Sequence, residues 1–197
     1  MKDVFLAILK IVVFLLILPL IIASFIAFQS HILSLPVNKE VWLLWGAGVY
    51  VFLNLFVYNL KDVYIFGKSA VEKMITFFKP AGYIFPIYTV VLIIIFFIGI
   101  VLGREQVWRP YLLFAIAFSL MMHLVLTAHE IYESDNSLLK SHYLLVFGAV
   151  LIVNLFIMSL LLAWVIPEYS FVGFIKSLAS QTEHTYHSVY RLLFVDS

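Results

Sequence analysis

The chain has 197 residues, of which 64% are hydrophobic and 12% charged, with a formal net charge of +1. A soluble domain is about 45–50% apolar and about 25% charged, so a composition this apolar needs lipid as the solvent for much of its surface. The near-neutral charge offers nucleic acid no footprint, and the absence of cysteine excludes disulfides, thiolate metal sites, cysteine-held iron–sulfur clusters, c-type haem attachment and S-palmitoylation.

The first apolar run, Val4–Phe28, is far longer than the roughly 7–15 residues of a signal-peptide core, and is expected to be a membrane span or signal anchor. Pro36 and Asn38 break the chain before a second run, 41–60. Its Gly46-Ala47-Gly48 stretch suits close helix packing rather than phosphate binding, because a helix interior offers no free N–H groups. The segment 67–79 places Val71, Met74, Ile75 and Phe78 on one helical face and Lys68, Glu72, Lys73 and Lys79 elsewhere, the pattern of a helix lying in the membrane surface. Further runs follow at 83–103, 111–132 and 143–166, separated by Gly103-Arg104-Glu105 with Arg109-Pro110 and by the polar turn Glu133–Ser137, and ended by Pro167. A span of hydrocarbon takes about 20 helical residues, and continuous apolar runs rule against a barrel. The expected fold is an all-α integral membrane bundle of about five transmembrane helices, residues 1–170. An amphipathic interfacial helix, 171–197, follows it. Phe171, Phe174, Ile175, Leu178, Tyr186, Val189, Tyr190 and Leu193 form its apolar side, to be buried against headgroups or a partner subunit. Tryptophans 42, 45, 108 and 164 mark an aromatic belt.

Orientation follows from the cations. With the N-terminus inside, lysines 2, 10, 61, 68, 73, 79 and 140 fall inside, and Lys39, Arg104, Arg109, Lys176 and Arg191 outside. This bias places the N-terminus in the cytoplasm and the C-terminus on the opposite side of a multi-pass protein.

Polar side chains inside spans are the informative positions, since each is costly unless paired or turned inward. Asn54 stands thirteen residues into the second span, His123 twelve into the fourth, and Asn154 twelve before the end of the fifth. At about 1.5 Å per residue all three fall near mid-membrane, as an expected interior cluster. In the fourth span Ser119, His123, Thr127 and Glu130 share a face at spacings of four, four and three, with Tyr88 and Thr89 of the third span at a similar depth. A histidine beside a carboxylate can pass protons, and the same stripe also suits the buried seam of a bundle.

His129, Glu130 and His142 lie near one membrane surface and are weak candidates for a divalent metal, and His129 with His142 for haem b. The sequence has no H-E-x-x-H motif, and adjacent residues such as His129 and Glu130 point apart on a helix. Glu183 and His187, four apart in the tail, suit chelation no better than any exposed pair. No cofactor is expected. Nucleophile elbows, phosphate loops, dinucleotide fingerprints and the motifs of known small multi-span families are absent. The expected function is a non-catalytic structural or accessory subunit of a larger membrane complex, in contact with the bilayer and with other subunits or copies of itself. Two alternatives stand beside it: a small transporter or proton-conducting subunit using the stripe of the fourth span, and a membrane-embedded metal- or haem-binding protein.

Overall fold

The computed structural model describes residues 2–56, 60–77, 81–103, 105–137 and 140–194. Every element among them is a helix: α1 (Lys2–Leu33), α2 (Val37–Phe56), α3 (Lys61–Met74), α4 (Ala81–Ile84), α5 (Ile87–Val101), α6 (Glu105–Ser134), α7 (Ser141–Val165) and α8 (Phe171–Phe194). Among the described residues three stretches are long and apolar enough to cross a membrane, namely Val4–Leu33, Val107–Ser134 and Ser141–Val165, which points to a membrane-embedded protein. α2 and α3 meet that requirement only together, and α5 is a shorter apolar helix of 15 residues.

The helices depart from the expected runs where proline chemistry decides. Pro86 stands just before α5 and separates it from the single turn α4. A proline restricts the residue before it to extended conformations, so the apolar run 83–103 is not one helix. Pro36 starts α2 four residues earlier than its apolar run, its carbonyl accepting the N–H groups of Lys39 and Glu40. α6 begins at Glu105 and carries Pro110 as its sixth residue, where the missing N–H removes one bond of the second turn.

The chain divides into two compact units, residues 1–34 with 130–197, and residues 35–129. In the first, α1, α7 and α8 pack lengthwise. Gly148 of α7 lets Ile21 and Phe14 of α1 approach, so closely that an added methyl would overlap Ile21. The turn into α7 is held by side chains. Asp135 accepts the N–H groups of Ser137 and Tyr143, both at 2.8 Å, and Ser137 Oγ accepts that of His142, which satisfies donors that the first turn of α7 leaves open. Lys140, in the left-handed region at φ 51°, donates from Nζ to the carbonyls of Tyr132 and Asp135.

After α7 the chain reverses. Tyr169 and Ser159 share a hydroxyl–hydroxyl bond of 2.9 Å, and Ser170 caps α8 by accepting the Gly173 N–H. α8 then runs back along α1. Phe174 stacks edge-on against Phe28 and His31 near the end of α1, and Tyr186 donates to the Leu16 carbonyl in its middle. The residues of α8 turned toward its neighbours are Phe174, Leu178, Gln181 and Thr185, whereas Tyr190, expected on the buried side, is 58% exposed. α8 is thus antiparallel to α1 rather than laid across its end.

The second unit packs α3 and α5 onto the inner face of α6, with α2 against α6 as well. At Gly46 the α2 backbone meets the Phe114 carbonyl of α6, where any side chain would collide, whereas Gly48 faces open space. The core here is Tyr50, Tyr64, Met122 and Leu126, with Tyr88 and Phe118 around it.

Candidate functional site

The polar residues of α6 supply the site, and their four-residue spacing explains why they act together. Ser119, His123 and Thr127 fall on one side of the helix, and all three are buried inside the second unit. Each meets a partner from another element. Ser119 Oγ lies 2.8 Å from Thr89 Oγ1 of α5 and donates to the Ile116 carbonyl of its own helix. In that chain Ser119 uses its proton on Ile116, so Thr89 is the donor to Ser119. His123 Nε2 lies 3.0 Å from the Tyr83 carbonyl. A carbonyl can only accept, so Nε2 carries the proton. Thr127 Oγ1 lies 2.9 Å from the hydroxyl of Tyr64 in α3.

α3 starts six residues before the segment read from the sequence, and of the apolar face expected there Val71 is buried and Ile75 half-buried. It begins at Lys61, and its buried residues are Tyr64, Gly67 and Val71, while Met74 is 78% exposed and Phe78 lies outside the described residues. Gly67 has a defined role. A methyl there would press on the rings and side chains of Tyr88 and Ile87, so only glycine lets the start of α5 lie this close to α3. Tyr88 uses its hydroxyl on the Val63 carbonyl, and not on the stripe of α6.

Tyr64, Lys68, Gly82, Tyr88, Ser119 and His123 enclose a cavity of about 10 Å³, the volume of roughly one water molecule. Lys68 leans over this region with Nζ 3.9 Å above the Tyr83 ring and 3.7 Å from Glu72, a cation held by a ring face and a carboxylate together. The arrangement can hold three helices in register and can lodge one water.

The remaining sequence candidates are divided between the two units. Asn54 accepts a 3.3 Å bond from Tyr50, four residues earlier on α2. Through Tyr50 it reaches the aromatic cluster that also contains Tyr64, whose ring lies 6.0 Å from that of His123. Asn154 is fully buried in the other unit and donates to the Val150 carbonyl. Glu130 also belongs to that unit and is half-buried, and His129 and His142 are exposed. Among the described residues no group of three or more His, Asp or Glu side chains is gathered for a metal ion. The sequence reading missed Tyr64 and Lys68, although the spacing Tyr64–Gly67–Val71 carried the signal once α3 is begun at Lys61.

Asp135, in the turn outside the membrane-spanning segments, is the one strongly shifted carboxyl of that kind among the described residues. Burial pushes it up, but the donors from Ser137 and Tyr143 and the charge of His142 outweigh this and hold it at about 2. No protein-family model matches the chain, and neither the curated proteins nor the solved structures contain a significant match to it.

Proposed function

We propose that this chain is a non-catalytic subunit of a larger membrane assembly, built on five apolar passes. The passes are α1, α2, α5, α6 and α7, with the N-terminus in the cytoplasm. One observation carries the subunit reading. The polar residues that an intramembrane path would use, Ser119, His123 and Thr127, are each bonded to another element of the same unit. Bonds of this kind between helices contribute about 0.5–2 kcal/mol each and define which helices pack together. A second support is the apolar surface left on α1, where Phe5, Leu15, Leu16 and Phe25 are all more than half exposed, as suits contact with lipid or with neighbouring subunits. α5 is short for a pass, about 22 Å at 1.5 Å per residue, and would need local thinning or neighbouring protein to span.

Five passes set the two ends of the apolar bundle on opposite sides, and α8, docked along α1, returns the C-terminal end toward the side of Met1. Reporter fusions at Met1 and Ser197 test this directly. Reporters on one side support the returning helix, and reporters on opposite sides support an α8 that leaves α1 for the surface. The subunit reading is tested by mild extraction of the chain from its own membrane. A stoichiometric assembly supports it. A lone chain that conducts protons after reconstitution overturns it in favour of transport along α6.

A further inference from the structure

We propose that α8 pairs antiparallel with the α8 of a second copy of this chain, through the face that carries Glu183, His187 and Arg191. The proposal rests on the subunit reading above and names the partner.

The first observation is which way α8 faces. Phe174, Leu178, Gln181 and Thr185 turn toward the chain's own helices, and Lys176, Ser180, Glu183 and His187 stand on the opposite side, all exposed. At 100° per residue these two sets lie about 180° apart. The second observation is depth. α8 touches α1 at Phe28 and His31 through Phe174, and at Leu16 through Tyr186. Glu183 therefore stands beside the part of α1 between Leu16 and Phe28, and from Ile11 to Phe28 that helix has no charged residue. An acid and a base at the level of such a stretch are unfavourable in lipid unless another polar surface covers them.

The third observation is the order of the charges. Glu183 is four residues before His187 and Arg191 four residues after it. An antiparallel pair with its two-fold axis at His187 therefore sets Glu183 of one copy opposite Arg191 of the other, twice, with the two histidines at the crossing. A closed two-fold contact requires such a self-complementary surface. An anionic lipid headgroup would suit Arg191 and repel Glu183, and an acidic protein would do the same. A second copy satisfies both charges with the same six side chains.

The test uses the whole chain in its native membrane. The sequence has no cysteine, so His187→Cys introduces the only thiol. Oxidation is expected to give a disulfide-linked dimer from His187→Cys and none from Lys176→Cys, which is on the same face but eleven residues from the axis. In the His187→Cys background, Glu183→Arg or Arg191→Glu should lower the dimer yield about tenfold, and the two reversals together should restore it, since charge pairs that couple are recovered by exchange. The restored double variant shows that the single reversals did not simply unfold the chain. Equal dimer from Lys176→Cys, a yield indifferent to the charges, or a thiol captured by a different protein each overturns the pairing. Sizing of the mild extract separates this from failure of the broader reading. A large assembly without the His187 link removes only the α8 contact, whereas a lone chain removes both.

Discussion

The two units place their polar side chains in opposite ways. In residues 35–129, Ser119, His123 and Thr127 point inward and each finds a partner on another helix or turn of that unit. On α8 of the other unit, Glu183, His184, His187 and Arg191 point outward, away from the helix that α8 packs on. Polar groups facing inward specify a packing within the chain. Polar groups facing outward beside an apolar helix are costly in lipid unless another polar surface covers them. The contrast separates residues that hold the chain's own helices together from residues left on its outer surface.

The largest expected effect on the inward side is steric. Gly46→Val places a side chain into the Phe114 backbone of α6, and overpacking of this kind should lower stability by about 2–3 kcal/mol, read as thermal unfolding in detergent. His123→Ala comes next. It leaves a gap and an unsatisfied Tyr83 carbonyl and should cost about 2 kcal/mol. Tyr64→Phe and Thr127→Val each remove the bond between these two hydroxyls. Each should cost about 1 kcal/mol, and the double variant less than the sum, since both substitutions remove the same bond. Additive losses would mean that the 2.9 Å bond does not hold α3 to α6.

A smaller effect belongs to the α6–α7 turn. Asp135 is held at about 2 in the folded chain against about 3.9 when unperturbed. A depressed carboxyl stabilises the fold above its unfolded value and loses that contribution as pH falls through its folded one, so the turn should loosen between about pH 4 and pH 2. Asp135→Asn, which keeps an acceptor but removes the charge, should remove that acid transition and cost about 1 kcal/mol at neutral pH. Amide exchange of Tyr143 reports both. The smallest effect is expected at Glu130, where Glu130→Gln preserves size and hydrogen bonding and should change complex yield little, within about 0.5 kcal/mol.

How far the sequence could be read follows from what each signal measures. Continuous apolar runs measure membrane compatibility, so helices were legible at α1, α6 and α7. The same measure passes through Pro86 unchanged, and so it merged α4 with α5. α3 was obscured because the apolar run 41–60 ends just before it and the charged pair Lys61-Asp62 stands at that break. With its start moved to Gly67, Tyr64 was left out, and Lys68 stood only as a charge off the apolar face. The stripe on α6 was legible from spacing alone, but its partners were not. Which hydroxyl meets Thr127 depends on where α3 docks, and a single sequence does not encode that in any local pattern. α8 was legible as amphipathic, yet the side it buries is not the side with most aromatics. Gln181 and Thr185 turn inward while Tyr190 and Phe194 remain exposed. This is a tertiary choice made by the reversal at Tyr169 and Ser170.

The central claim is that the stripe of α6 holds helices together rather than carrying protons. It is tested most directly by measuring unfolding temperature and proton flux on one preparation of His123→Ala, purified and reconstituted into lipid vesicles beside the unaltered chain. The account predicts a clear fall in unfolding temperature, with flux at the level of protein-free vesicles for both proteins. An unchanged unfolding temperature, together with a proton flux that the unaltered chain supports and His123→Ala abolishes, would contradict it.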